Sequence, residues 1–266
     1  MSLVRHRPRR GDHVVKQEAI PNQGAIRSRD DVRRMFDGIV PRYDLMNHLM
    51  TGGRDVAWRK LAVREALLGI DPSRASVLDL ATGTGDLAFA LRDAGAFSVI
   101  GLDVSTEMLA EAARKDARSE EGSPIPWIEG DAMALPFPDA TFDAVTVGFG
   151  LRNMPDYAGA LREAARVLRP GGTFVCLETT PLRVPALRAA FAWYFSNVVP
   201  LVGGLLSGNR DAYAYLPASA AAFPDADTLG RMLLAAGFEK ARYLRLGAGT
   251  VALHVARTPE SGSLRL

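Results

Sequence analysis

The residues with the clearest potential for chemistry are a run of glycines and three aspartates. Residues Gly83 to Ala88 fit the Gly-x-Gly-x-x-Ala pattern of loops that lie against a nucleotide. Asp79 precedes this loop, and Asp103 and Asp131 each follow a short apolar run. Glycine has no Cβ, so its backbone can approach a ligand closely, and a carboxylate can accept hydrogen bonds from two ribose hydroxyls. The sequence therefore predicts a nucleoside-binding site.

The charge around the loop indicates which nucleoside is bound. A carboxylate at Asp79 would repel a pyrophosphate but would attract the ammonium and sulfonium of S-adenosylmethionine. Asp103 is placed to accept from the ribose, and Asp131 and Ala132 are placed to meet an adenine amino group. The alternatives are a nicotinamide-dependent oxidoreductase, and a role for Asp79 and Asp131 as simple helix or turn caps. The predicted cofactor-binding residues are Asp79, Gly83, Thr84, Gly85, Asp103, Asp131, Ala132 and Gly148.

Composition limits the other function classes. The chain has 266 residues, 48% of them hydrophobic, which is enough for one substantial core. A net charge of only +2 gives no broad basic field, so no nucleic-acid partner is predicted. The single cysteine, Cys176, excludes an intrachain disulfide and a multi-cysteine metal site, and no metal is predicted. Since no apolar signal-type segment follows the N-terminal arginines, a cytoplasmic protein is expected.

The elements that must position these residues follow from hydrophobic periodicity. A basic tail over 1–27 is predicted to be disordered, and a helical cap over 28–70 begins near a capping-box spacing of Ser28 and Asp31. From 71 to 258, short apolar runs alternate with helical patterns, which predicts a Rossmann-like α/β domain with a mostly parallel sheet. Gly247 to Thr250 separates the strands of a predicted C-terminal antiparallel hairpin. The predicted parallel strands are Val77–Leu80, Ser98–Leu102, Pro126–Glu129, Phe142–Val147 and Thr173–Leu177.

Two further segments interrupt or follow this domain. The region 181–216 is the most apolar in the chain, but Asn197, Pro200 and two glycines break it, so a membrane-spanning helix is not predicted. It is interpreted either as a buried lid helix or as a surface that receives an apolar substrate or a membrane face. Residues 259–266 are predicted to form a flexible tail.

Three stretches outside the glycine loop resemble the quinone-biosynthesis C-methyltransferases, which methylate demethylmenaquinol or 2-polyprenyl-6-methoxy-1,4-benzoquinol. They are Tyr43 to Met50 with Trp58, Phe149 to Asn153, and Arg166 to Gly172 with Glu178. The resemblance covers about residues 30 to 257. This sequence departs from the family pattern at Ala81, where the general methyltransferase motif has a glycine, and at Asp55, where many members have histidine.

The resemblance implies a class I methyltransferase fold and a methyl transfer from S-adenosylmethionine to a ring carbon, with S-adenosylhomocysteine as product. The implied acceptor is a polyprenyl quinol, with demethylmenaquinol favoured. The benzoquinol of ubiquinone biosynthesis is the alternative, followed by another small apolar acceptor. A non-catalytic assembly protein that merely retains the cofactor site is a further alternative.

The resemblance also implies roles for individual residues. A ring carbon is a poor nucleophile, so the adjacent phenol must be ionised or strongly hydrogen-bonded. Arg152 is expected to stabilise a phenolate or to hold a water that takes the proton, while Asn153, Tyr43 and Asn47 bind and orient the quinol. The alternatives are a structural salt bridge for Arg152, and packing or capping for Tyr43 and Asn47. Peripheral association with the inner face of the cell membrane is expected, and a second copy of the chain is a further candidate partner.

Overall fold

The computed structural model describes residues 13–14, 33, 37, 40, 43–119, 122–182, 219–220 and 222–260. Within these ranges one sheet has the order β1-β7-β8-β6-β5-β2-β3-β4. Strands β2 to β6 pair in parallel. The other three pairs, β6 with β8, β8 with β7 and β7 with β1, are antiparallel. The Rossmann-like prediction, including the C-terminal antiparallel hairpin, is confirmed. The strands are β1 (His13–Val14), β2 (Ser76–Leu80), β3 (Ser98–Asp103), β4 (Trp127–Glu129), β5 (Phe142–Gly148), β6 (Leu168–Thr179), β7 (Lys240–Leu246) and β8 (Val251–Arg257).

Three of the helices begin where the sequence supplies a capping side chain or a glycine. The Ser105 hydroxyl accepts from the Met108 amide, and Asp225 accepts from the Thr228 amide, so each satisfies a donor that the helix leaves unpaired. Gly85 precedes another helix with a positive φ of 88°. The helices are α1 (Tyr43–Thr51), α2 (Asp55–Ala66), α3 (Asp86–Asp93), α4 (Thr106–Asp116), α5 (Tyr157–Val167) and α6 (Ala226–Ala235).

Alternate strand residues enter two separate cores on the two faces of the sheet. Val77 packs with α2 and α3, whereas its neighbour Leu78 packs with α5 and α6. The period of two along a strand produces this division, and burial on both faces explains why the central strands are almost continuously apolar.

The connections place the functional edge of the sheet. From β2 the chain runs through α3 to β3 and through α4 to β4, toward one side of the sheet. From β5 it runs through α5 to β6, toward the other side. Strands β2 and β5 are therefore neighbours whose crossovers leave in opposite directions, which makes their carboxyl ends a topological switch point where ligands bind in α/β sheets.

Two boundaries differ from the sequence prediction. Strand β6 begins at Leu168, which pairs with Phe142, but the next pair joins Thr173 to Ala144. The strand predicted to start at Thr173 therefore starts five residues earlier and contains a bulge, because extra residues in one strand can be accommodated by a local break in the ladder. His13 and Val14, inside the predicted disordered tail, pair with the edge strand β7, which offers unpaired backbone groups.

Several other predictions fall outside the described residues. The remainder of the tail over 1–27, the start of the cap near Ser28, most of the apolar region 181–216, and the tail after residue 260 are among them. Arg33 and Asp37 are helical. Across the described ranges, no helix combines the length and the apolar character needed to cross a membrane.

Candidate active site

A cavity opens at the carboxyl ends of β2 to β5, at the switch point of the sheet. It has a volume of about 690 Å³, counting the space at its open mouth. Half of the predicted site residues line it: Tyr43, Gly83, Asp103, Asp131, Ala132 and Asn153. The other half lie around or beneath this lining: Asn47, Asp79, Thr84, Gly85, Gly148 and Arg152. The sequence thus located the site but did not separate residues that face it from residues that support it.

The glycine loop turns sharply because three of its residues adopt positive φ angles. These are Ala81 at 48°, Gly83 at 56° and Gly85 at 88°. Gly83 lines the cavity, whereas a Cβ on Gly85 would lie 2.7 Å from the Trp127 ring. Gly85 thus has a packing role, since it lets Trp127 close against the start of α3, and its contact with a cofactor stays a prediction.

Thr84 and Gly148 also have local partners. The Thr84 hydroxyl is buried and donates to Asp44 Oδ1 of α1 over 2.5 Å. A Cβ on Gly148 would lie 3.2 Å from a methyl of Leu87, so this glycine lets β5 approach α3. Both residues support the cavity through the elements that they join.

Asp79 is buried beneath the glycine loop at the end of β2. Its two carboxylate oxygens accept hydrogen bonds from the hydroxyls of Thr82 and Thr146, each over 2.6 Å. Burial raises the pKa of Asp79 to about 6, and the two hydroxyl bonds only partly oppose this effect. The described residues place no cation within salt-bridge distance of it. A positive ligand above the loop would stabilise its ionised form.

Asp103 lines the cavity at the end of β3 and holds the glycine loop in place. Its Oδ2 accepts from the Gly83 amide over 2.8 Å, and its Oδ1 accepts from the Ser105 amide over 2.9 Å. Burial raises the pKa of Asp103, while these backbone donors act in the opposite direction. Each carboxylate oxygen has a further lone pair that can accept from a ligand hydroxyl.

Asp131 and Ala132 lie beyond β4, in a loop that is clamped from α5. Asp131 Oδ1 accepts from the Met133 amide over 2.9 Å, which fixes the turn at the cavity wall. Further along the same loop, Arg166 of α5 donates to the carbonyl oxygens of Leu135 and Phe137. The prediction placed Asp131 and Ala132 at the correct strand end, and the clamp explains how this loop keeps its shape.

The turn after β5 contains the predicted acceptor-binding residues. Phe149 lines the cavity with a positive φ of 56°, which is a strained conformation for a residue with a side chain. A short 3-10 helix, Leu151–Asn153, follows it. Asn153 lines the cavity, its amide nitrogen is 3.4 Å from the Phe149 carbonyl oxygen, and its buried Oδ1 accepts no hydrogen bond from the described residues. Asn153 therefore offers an acceptor to a ligand hydroxyl.

Arg152 is held away from the cavity lining. Its Nη1 donates to Glu178 Oε1 of β6 over 2.6 Å and to the Phe149 carbonyl oxygen over 2.7 Å. The side chains of Arg152 and Glu178 are only 8% and 1% exposed. This geometry matches the structural salt bridge that was the alternative role for Arg152. The hydrogen bond to the Phe149 carbonyl oxygen also holds this strained residue in place.

Tyr43 brings α1 to the cavity, with its ring beside Gly83. A Cβ built on Gly83 would lie 3.6 Å from Tyr43 Cε1. Burial raises the pKa of the Tyr43 phenol, and a hydrogen bond with Asn47 acts in the opposite direction. Asn47 does not line the cavity but forms a hydrogen bond with Tyr43, and its role in substrate binding stays a prediction.

The cavity suits a cofactor that is an amino-acid nucleoside with positive charge. Gly83, which has no Cβ, and the carboxylates of Asp103 and Asp131 line the cavity. The ionisable carboxyl of Asp79 lies beneath the glycine loop. A pyrophosphate would meet these carboxylates with unfavourable charge, since neither Asp79 nor Asp103 has a described cation to compensate it. The donor set therefore fits S-adenosylmethionine better than a dinucleotide.

Several lining residues were not predicted as site residues. Phe149 stood inside one of the family signatures but was given no role. Glu178, which ended another signature, does not line the cavity but binds Arg152. The methionines that line the cavity carry no signal in the sequence, because apolar residues at helix and loop positions are typical of any core. These methionines are Met108, Met133 and Met154.

Comparison with known proteins shows the family to which the chain belongs. The ubiE/COQ5 methyltransferase family matches residues 24–258 of the chain. The chain is 48% identical to a protein of Thermus thermophilus named demethylmenaquinone methyltransferase, over 85% of this chain and 100% of that protein. It is 43% identical to a protein of Desulfotalea psychrophila named ubiquinone/menaquinone biosynthesis C-methyltransferase UbiE, over 84% of this chain and 88% of that protein.

Solved structures agree on the fold. A SAM-dependent methyltransferase from Thermotoga maritima superposes with a TM-score of 0.57 at 17% identity, over 85% of this chain and 99% of that one. At this level of identity the likeness concerns the fold, which is that of the Rossmann-like class I methyltransferases.

Proposed function

The chain belongs to the ubiE/COQ5 methyltransferase family, and we propose that it transfers a methyl group from S-adenosylmethionine to a ring carbon of demethylmenaquinol. One observation carries the proposal: the same cavity is lined by the carboxylates that follow β3 and β4 and by the amide and aromatic ring that follow β5. Relatives named demethylmenaquinone methyltransferase support this acceptor. The alternative acceptor is the benzoquinol of ubiquinone biosynthesis, since a relative that covers most of the chain is named for both quinones.

The residues that would hold the cofactor lie at the ends of β2, β3 and β4. Asp103 would accept from the ribose hydroxyls, Asp131 and Ala132 would meet the adenine, and Gly83 would allow close approach. Asp79 would act from beneath the loop by its charge. When bound, S-adenosylmethionine supplies an electrophilic methyl group on a sulfonium.

The acceptor side must orient the quinol and raise the electron density of one ring carbon. The free Oδ1 of Asn153 can accept a hydrogen bond from a quinol hydroxyl, which shifts electron density toward the ring. The rings of Tyr43 and Phe149 can pack against an aromatic acceptor and exclude water. Arg152 could stabilise a phenolate directly only by leaving Glu178, so we assign it to holding the turn that carries Phe149 and Asn153.

Methylation assays with matched variants test this assignment. The purified chain would be incubated with isotopically labelled S-adenosylmethionine and either quinol, and the quinone product would be identified by mass spectrometry. We expect labelled menaquinone. Asn153→Ala should lower the transfer rate about 10- to 30-fold while the affinity for S-adenosylhomocysteine stays unchanged, because one buried hydrogen bond is lost.

Asp103→Asn is the matched variant on the cofactor side. It should weaken S-adenosylhomocysteine binding, since an amide cannot accept from both the ribose and the loop amides as a carboxylate does. Transfer only to the benzoquinol would select the alternative acceptor. Failure to methylate either quinol would refute the proposal.

We also propose that the enzyme works on the cytoplasmic face of the cell membrane, where an acceptor with a polyprenyl tail resides. The outer surface of α1 and α2 supports this: Leu45 and Val56 are 53% and 44% exposed, and Arg54, Lys60 and Arg64 are exposed beside them. Among the described acidic residues of these helices, Asp55 and Glu65 are buried, and Asp44, whose side chain is 41% exposed, is paired with Lys115. Such a surface complements anionic headgroups.

Vesicle co-sedimentation tests the membrane proposal. The wild type should bind vesicles that contain phosphatidylglycerol and should bind neutral phosphatidylcholine vesicles much less. Arg54→Glu with Lys60→Glu should weaken this binding at least about tenfold, because each cation near an anionic surface contributes about 1 kcal/mol. Arg162→Glu, on α5 at the opposite face of the sheet, is the control and should bind normally. Equal binding of the wild type and the double variant would contradict the proposal.

A further inference from the structure

The described side chains of helix α1 join it to the rest of the protein through hydrogen bonds and ion pairs. None of its side chains that the structure describes is fully buried, and Leu45 is exposed. Yet α1 carries Tyr43, which lines the cavity beside the glycine loop. The position of Tyr43 therefore depends on what holds α1 in place.

The first attachment is at Asp44, directly after Tyr43. Asp44 Oδ1 accepts from the Thr84 hydroxyl of the glycine loop, and Asp44 Oδ2 lies 3.0 Å from the Nζ of Lys115 on α4. The same ammonium lies 2.5 Å from Asp86 Oδ1, at the first residue of α3. One lysine thus joins the cap, the glycine loop and two helices.

The ion pairs continue from Asp86 back to α1. Asp86 Oδ2 lies 3.1 Å from Arg59 of α2, and Arg59 lies 2.8 Å from Asp55. Asp55 Oδ1 is 3.1 Å from His48 Nδ1, one turn along α1 from Asp44. The chain of contacts is therefore a closed circuit, and it fixes α1 at two points.

Lys115 is the member of this circuit with most partners. Its ammonium contacts Asp44, Thr84 and Asp86, and it also lies 5.5 Å from the centre of the Phe89 ring. It is only 25% exposed, so salt and water screen these contacts less than they screen a surface pair. Loss of this charge would leave Asp44 without a described counter-charge and Asp86 with Arg59 alone.

We propose that Lys115 is a positioning residue that seats α1 over the glycine loop and so places Tyr43 against the bound acceptor and cofactor. This inference rests on the proposed function for what Tyr43 touches, but the attachment of α1 can be tested without it.

Hydrogen exchange of the free, full-length protein tests the attachment. In Lys115→Met, which keeps an apolar stem of similar length, amides of residues 43–51 should exchange about tenfold faster than in the wild type, as expected for loss of a partly buried ion-pair network. Amides of residues 157–167 in α5 should be unchanged. Lys115→Arg should restore slow exchange, and 0.5 M NaCl should partly reproduce the effect in the wild type.

Arg114→Met is the matched control, because Arg114 pairs only with Glu111 on the surface of the same helix among the described residues. A second measurement follows the positioning itself: Lys115→Met should raise the KM for the quinol and the release rate of S-adenosylhomocysteine more than it lowers kcat. Unchanged exchange of α1 in Lys115→Met, equally faster exchange in α5, or the same effect in Arg114→Met would each overturn the inference. If the wild type methylates no quinol but α1 exchange responds as described, the proposed acceptor fails while the positioning role stands.

Discussion

The glycine loop after β2 and the turn after β5 lie side by side at the switch point, but they are stabilised in opposite ways. Both contain a non-glycine residue at positive φ, Ala81 in the first and Phe149 in the second. The carboxylates of Asp79 and Asp103 hold the glycine loop, and among the described residues they accept hydrogen bonds only from hydroxyl and amide donors. The turn after β5 is held by a buried ion pair between Arg152 and Glu178.

This difference matches the two ligands that we propose. The carboxyls of Asp79 and Asp103 keep uncompensated negative character, which favours a cationic cofactor, and burial raises the pKa of both. In the turn after β5, the charges of Arg152 and Glu178 compensate each other. The groups that this turn presents to the cavity are the Asn153 amide and the Phe149 ring. A neutral aromatic acceptor suits such a surface.

The largest expected effect is on the ion pair of the turn. Glu178→Gln should lower the free energy of unfolding by about 3–5 kcal/mol, because it leaves the Arg152 guanidinium buried without its counter-charge. Urea denaturation measures this change. Arg152→Met combined with Glu178→Gln should recover most of the loss. If Glu178→Gln lowered the free energy of unfolding by less than about 1 kcal/mol, the ion pair would not be what stabilises the turn after β5.

In the glycine loop, lowering the pH should stabilise the protein, because it removes the charge of the buried Asp79 carboxyl. Since the pKa of Asp79 is about 6 in the folded state and 3.8 in the unfolded state, its ionised form costs about 3 kcal/mol of stability above pH 6. That cost disappears as the pH falls toward 4, and about half of it is recovered by pH 5. The difference in unfolding free energy between the wild type and Asp79→Asn should change accordingly. Parallel pH profiles of the two proteins would exclude a raised pKa at Asp79.

The same carboxyl should make cofactor binding depend on pH. A cationic ligand favours ionised Asp79, so affinity for S-adenosylmethionine should be about tenfold weaker at pH 5 than at pH 7.5. Calorimetric titration measures the change. Asp79→Asn should flatten the dependence, whereas Asn153→Ala, in the neighbouring turn, should retain it. A pH-dependent affinity in Asp79→Asn equal to that of the wild type would assign the effect to another group.

The smallest expected effect concerns backbone strain at Ala81. Ala81→Gly should raise the free energy of unfolding by up to about 1 kcal/mol, because glycine adopts a positive φ without steric cost. Ala113→Gly, at an exposed position inside α4, should instead lower it by about 1 kcal/mol. Thermal or urea unfolding compares the two variants. Destabilisation by both would show that Ala81 is not strained.

The local parts of the site could be predicted from the sequence. The glycine loop, the acids at strand ends and the hairpin each depend on residues a few positions apart, whose spacing reflects the periods of strands and turns. The partners of these residues could not be predicted. Glu178 lies 26 positions from Arg152, and Lys115 lies 71 positions from Asp44, so both contacts form only after the elements have packed.

By itself, the sequence determined the α/β architecture, the edge of the sheet that carries the site, and the family signatures. Only the tertiary structure decided which polar side chains face the cavity. Arg152 and Asn153 are neighbours in one short 3-10 helix, yet Asn153 lines the cavity while Arg152 is bound by Glu178. The physical reason is that a buried charge must find a counter-charge, and its location depends on distant strands. A neutral amide is destabilised less than a buried charge when one of its atoms lacks a partner. The Asn153 oxygen can therefore stay without a described partner until a ligand binds.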